Sequence, residues 1–189
     1  RNRTVVARVV SVVDWNAFDT TNGTVRSVGS LMAIDPGLTG TGVAVWHRGS
    51  IKPVLADVLT SKGATSKDWV DRVNRIAVQI QDLAIEHTVT DMVCEMMEMH
   101  SSARAQMMWR AGDFQRTLFL IGAIYGLTES FVVNYRLTPP SEWKGQLPKA
   151  VTIKRVRHAL GATTCRRLAI DTHAWDAVGI GLWHMGVIK

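Results

Sequence analysis

Leu31-Met32-Ala33-Ile34-Asp35-Pro36-Gly37 is the stretch on which the fold turns. An apolar run is halted by a carboxylate, and Pro36-Gly37 then bends the backbone away sharply, as at a strand end. Thr41 to His47 resumes as a second strand and Lys52 to Leu59 as a third. The connections leave no room for crossover helices, so these three pair mostly antiparallel. A helix is expected from Ser66 to Glu86, with Ser66 as N-cap and Trp69, Val73, Ile76, Ile80 and Leu83 in one apolar stripe. Asp91 to Glu95 reads as a fourth strand, and Ala103 to Tyr125 as a helix closed by Gly126. Phe131 to Tyr135 is the fifth strand, Lys149 to Leu160 a basic helix capped by Gly161, and Asp171 to Met185 the last helix. Strand–helix–strand units require parallel pairing. The expected fold class is therefore α/β, a mixed five-stranded sheet with helices on both faces. Residues 1–28, with Val5, Val6, Val9, Val10, Val12 and Val13, read as an appendage, either a strand hairpin or a leader, ahead of one domain over 29–189.

The composition narrows the classes of function. With 189 residues, 47% of them hydrophobic and 20% charged, the chain is long enough for a buried core. Two cysteines, Cys94 and Cys165, are too few for a disulfide framework or a four-cysteine zinc site, and point to a reducing compartment. No apolar run approaches the ~20 residues of a membrane span, and none near Arg1 ends in a cleavage site. A soluble, cytoplasmic protein with no membrane partner is expected. The formal net charge is +6. It is concentrated between Arg136 and Arg167, where eight basic residues face one acid, Glu142. That segment is either a solvated basic face or a contact surface for a phosphate backbone.

Three carboxylates stand at chain positions that chemistry favours. Asp35 closes the first strand and Glu95 the fourth. If those strands are parallel neighbours, both project into the crevice beyond their carboxyl ends, where ligands bind in open α/β sheets. Asp176 lies in the first turns of the last helix, with His173 three residues earlier on the same helix face. Asp171 either caps this helix or joins the cluster. Carboxylates gathered together repel, raising at least one pKa unless a cation is present. Oxygen-rich clusters suit Mg²⁺ or Mn²⁺, and two such ions ~4 Å apart can activate water for phosphodiester hydrolysis. Singly, each residue has a plainer explanation: a turn Asp, a cap, a surface His.

These blocks, Met32-Ala33-Ile34-Asp35-Pro36-Gly37 with Thr39-Gly40-Thr41-Gly42, Val93-Cys94-Glu95, and His173-Ala174-Trp175-Asp176-Ala177-Val178-Gly179-Ile180, together resemble the RuvC-type Holliday-junction resolvases, particularly the phage-encoded variety. Thr138-Pro139 through Trp143-Lys144-Gly145 resembles the family's segment leading into a basic helix, and the likeness covers roughly residues 30 to 188. It implies an RNase H-like fold, a homodimer, and symmetric paired nicking of a four-way junction. It also implies two Mg²⁺ ions per site (Mn²⁺ substituting), no small-molecule cofactor, and a bacterial or phage-infected host. By motif, Asp35, Glu95, His173 and Asp176 become the metal-binding catalytic set. Lys144, Lys149, Lys154, Arg155 and Arg157 fall in the DNA-contacting region.

Two departures stand out. The turn after Asp35 is shorter than in bacterial members, and Glu98 occupies the place of the family's junction-centre aromatic. Met96, Met97, Met99 and Trp109 are the available apolar wedges, or else core. An RNA-processing nuclease of the same superfamily and a catalytically inactive junction-binding module are the alternatives. Clustered charge argues against an inactive binder, which does not need it. An ATPase is disfavoured by the short chain and the lack of a Walker loop.

Overall fold

The computed structural model describes residues 29–61, 68–98, 107, 109, 111–168 and 170–189. The expected appendage at 1–28, the Ser66 N-cap and Met99 lie outside them. Five strands form one sheet: β1 (Ser30–Asp35), β2 (Thr41–His47), β3 (Leu55–Leu59), β4 (Val89–Glu95) and β5 (Asn134–Thr138). Their order is β3-β2-β1-β4-β5. β1 pairs antiparallel with β2 and parallel with β4, β2 antiparallel with β3, and β4 parallel with β5. The helices among the described residues are α1 (Trp69–Glu86), α2 (Asp113–Thr128), α3 (Pro140–Trp143), α4 (Lys149–Leu160), α5 (Ala162–Leu168) and α6 (Thr172–His184).

Strand alternation builds two cores. Met32 and Ile34 of β1, with Met92 and Cys94 of β4, face α1 and α2 and pack on Val73, Ile76, Ile80, Leu120 and Ile124. Leu31, Ala33 and Val93 point the other way, onto Val156, Val178, Ile180 and Leu182 of α4 and α6, together with Trp46, Trp143 and Trp175. The mixed sheet with helices on both faces agrees with expectation. None of the described helices is long and apolar enough to cross a membrane.

Several boundaries differ from those expected. The N-cap of α1 is Asp68, whose carboxylate accepts the Asp71 amide at 3.0 Å. The helix expected unbroken from Ala103 is interrupted at Gly112, which adopts φ 77° ahead of α2. It then runs through Gly126 to Thr128. β5 begins at Asn134 instead of Phe131, because the amides of Phe131 and Val132 fold back onto the Thr128 carbonyl. The Asn134 side chain then donates to Asp91 at 2.6 Å, pinning the register Asp91↔Asn134. β3 starts after Pro53, which has no amide hydrogen for the ladder.

α6 is buried from Ala174 to Leu182, so it must lie flat on the sheet. Two glycines permit this. A Cβ on Gly181 would sit 2.3 Å from the Trp46 ring, and one on Gly42 would sit 2.0 Å from the His173 carbonyl oxygen. Gly42 pairs with Asp35 in the β1–β2 register, so the first turn of α6 is seated directly beside the strand-end acid. Gly42→Ala is expected to lower the unfolding free energy by about 1–3 kcal/mol, as overpacking does. A urea melt would show this as a lower midpoint at unchanged slope. An unaltered midpoint would refute the close contact.

Candidate active site

Alternation and register together bring the strand-end acids into one place. Asp35 continues the Leu31, Ala33 series and Glu95 the Asp91, Val93 series, so both side chains emerge on the α6 face. The pairing Ile34↔Cys94 sets them at neighbouring ends of parallel strands. α6 then delivers its first turn. His173 Nδ1 lies 3.1 Å from Asp35 Oδ2, and Asp176 follows one helical turn on, buried with only 6% of its surface exposed. The four residues Asp35, Glu95, His173 and Asp176 therefore share one end of the sheet. Asp171 takes the capping role, its carboxylate accepting the amide and the hydroxyl of Thr172.

Each acid carries its own cation or donor. Glu95 Oε2 accepts the indole N–H of Trp143 at 2.6 Å and the Lys144 ammonium at 3.3 Å. Asp176 Oδ2 pairs with Lys149 Nζ at 2.5 Å. Lys144 and Lys149, grouped by sequence with the DNA contacts, thus reach into the acid cluster. Trp143 acts here although sequence reasoning assigned it no role. The available signal was the Pro139-Pro140 pair, which starts α3 and points Trp143 back at β4. Glu98 secures the arrangement by accepting both the amide and the hydroxyl of Ser141 at 3.1 and 2.6 Å. That ties the chain beyond β4 to the start of α3. Trp109 leans on Phe114 with ring centroids 5.3 Å apart and stands half-exposed. Met96 and Met97 are partly buried.

The rest of the basic segment disperses. Arg155 donates to the Lys189 carbonyl at 3.0 Å, and Arg136 to Glu142 at 3.0 Å. The Arg157 guanidinium lies over the Trp175 ring, 5.0 Å from its centre. Lys154 is exposed on α4.

Electrostatics follow from this crowding. Burial is the main reason Glu95 and Asp176 hold their protons more tightly than ordinary carboxyls. The charge of Asp35 adds to the effect in both, while Lys144 and Lys149 oppose it. His173 is also raised, chiefly by its hydrogen bond to Asp35. The Cys94 thiol, on the opposite face of β4, is pushed far up by burial and by the charges of Asp35 and Glu95, so it stays neutral and unreactive. Among the described residues, no three acid, histidine or cysteine side chains converge into a ligand set that encloses an ion. The acids are instead held in pairs with lysine or histidine.

These shifts share one sign. A carboxyl whose folded pKa exceeds its unfolded value near 4 binds more protons when folded, so stability falls as pH rises through that window. The contribution of His173 is fully present below about 6.5 and is lost as pH rises through its folded pKa. Glu95→Gln and Asp176→Asn are expected to be more stable than wild type at pH 8, with the gap closing toward pH 4. Urea melts across that range would check this. A gap that widened on acidification would contradict the burial argument.

Neither a protein-family model nor a curated protein sequence matches this chain. Solved structures do. RuvC of Thermus thermophilus, determined in complex with a Holliday junction substrate, is similar at TM-score 0.62 and 18% identity, covering 85% of this chain and 98% of that one. The yeast mitochondrial Holliday junction resolvase Ydc2 is similar at TM-score 0.52 and 10% identity, covering 87% of this chain and 82% of that one. At such identities the likeness establishes architecture: the chain has the RNase H-like fold seen in RuvC.

Proposed function

We propose that the protein is a metal-dependent, structure-selective DNA endonuclease that resolves four-way or branched junctions by paired nicking. The observation that carries this reading is the placement of Asp35, Glu95 and Asp176 at the same end of the sheet, each partly buried and held in a pair by His173, Lys144 or Lys149 that a cation would have to displace. The fold likeness to a RuvC solved on a junction supports the choice of substrate.

The donor set fits a hard divalent cation. Carboxylate oxygens in mutual repulsion suit Mg²⁺ or Mn²⁺, and His173 adds an imidazole nitrogen. Asp35, Glu95 and Asp176 would hold the ions. Bound there, they supply Lewis-acid stabilisation and an activated water. The chain's own groups do the rest. Trp143 and Lys144 both occupy Glu95 Oε2, so Oε1 is the oxygen that these donors leave available. Lys149, whose side chain is 49% exposed, can move its ammonium from Asp176 to a phosphate oxygen. Lys144 can do the same from Glu95, and both would offset charge on the phosphate. His173, hydrogen-bonded to Asp35, is set to hold a proton beside the reacting strand.

A four-way junction has two-fold symmetry, which a C₂ dimer would match. Apolar side chains exposed along α2, among them Leu118, Phe119 and Tyr125, support a second copy as partner.

The test is cleavage of labelled four-way junction, linear duplex and RNA–DNA hybrid, each with Mg²⁺, Mn²⁺ or EDTA. Paired symmetric cuts in the junction are expected, lost in EDTA. Asp35→Asn is expected to fall about a thousandfold, since several kcal/mol of transition-state stabilisation at 1.36 kcal/mol per decade depends on the site. Preference for the hybrid would move the substrate to RNA. Tight junction binding without cutting would leave a binding module.

A further inference from the structure

The basic segment supplies a second feature, away from the acids. Of its eight cationic side chains, Lys144 and Lys149 hold Glu95 and Asp176, and Arg136 holds Glu142. Arg155 and Arg167 donate to the carbonyls of Lys189 and Pro53. Lys154, Arg157 and Arg166 remain, and among the described residues none of them has a carboxylate partner. All three line one cleft of about 590 Å³. Its geometry follows from the sequence. On α4, Lys154, Arg157 and His158 stand at i, i+3, i+4, and on α5, Ala162, Cys165 and Arg166 repeat that spacing. Gly161, at φ 77°, turns the chain sharply between the two helices. Ile170 and Trp175 complete the wall, and Arg157 lies over the Trp175 ring. The cleft thus has an apolar floor and a cationic rim.

We infer that this cleft is a nucleic-acid subsite that seats one nucleotide of the substrate strand, its phosphate on the rim of Lys154, Arg157 and Arg166 and its base or sugar on the apolar floor. The volume suits a small ligand, and the unpaired positive charge selects an anion. Trp175 immediately precedes Asp176, so the subsite adjoins the acid cluster at the start of α6. This rests on the nucleic-acid reading of the preceding section.

Cys165 offers a reporter independent of cleavage. The chain has two cysteines; Cys94 is fully buried, and Cys165 sits in the cleft wall. The experiment follows maleimide alkylation of Cys165 by mass spectrometry in Asp35→Asn protein, which keeps the DNA intact. It is run alone, with saturating four-way junction, with a single-stranded oligonucleotide, and with pyrophosphate. Mobility shifts report binding in parallel. Junction DNA is expected to slow alkylation at least several-fold. Lys154→Ala combined with Arg166→Ala is expected to abolish that protection and to lower the salt dependence of binding by about two phosphate contacts. Without DNA the double variant should alkylate at the parental rate, a control for folding. A bound junction that leaves Cys165 unprotected, or protection that survives in the double variant, overturns the subsite and leaves the nuclease reading standing. Pyrophosphate protecting as well as DNA would make it a site for small anions instead. Absence of any mobility shift would overturn both readings.

Discussion

Two carboxylates at neighbouring ends of parallel strands are the constraint around which this molecule is arranged. Parallel pairing of β1 with β4 brings Asp35 and Glu95 together on one face, where burial and the neighbouring Asp35 make the charge of Glu95 costly. The surrounding elements compensate. α3 brings an indole N–H and an ammonium to Glu95, the start of α4 brings an ammonium to Asp176, and the first turn of α6 brings an imidazole to Asp35. A hydrophobic replacement would make a more stable sheet end. Retaining the charges keeps this end of the sheet acidic and flanked by ammonium groups, the chemistry on which the proposed function rests.

Much of this was legible in the sequence, because the signals were local. A strand stopped by Asp-Pro-Gly, an apolar strand with a terminal Glu, and a His and an Asp three apart at a helix start each follow from short-range rules. The sheet's mixed pairing followed from connection lengths. Non-local contacts hid the rest. Nothing in Phe131-Val132-Val133 reveals that its first two amides turn back to Thr128 and leave the strand to begin at Asn134. An apolar repeat through Gly112 conceals that its backbone is left-handed.

The basic residues show the same limit more clearly. As a list between Arg136 and Arg167 they form one patch, and charge counting treats them alike. In three dimensions they serve three ends: pairing with acids, fastening backbone carbonyls, and rimming a cleft. Spacing does foreshadow the last group, since α4 and α5 repeat the same i, i+3, i+4 pattern on either side of Gly161. Which lysine meets which carboxylate depends on the fold of the intervening chain, and periodicity is silent on that.

Glu98 has a consequence for how such a protein can change over time. By gripping Ser141 it fixes the short helix that carries Trp143 and Lys144 to Glu95. The electrostatic setting of that acid is therefore written largely in the connection between β5 and α4, outside the sheet. Substitutions there can retune the acid while strand pairing and both cores stay as they are. A lineage could thus alter the chemistry of that sheet end through a loop, at little risk to the fold that supports it.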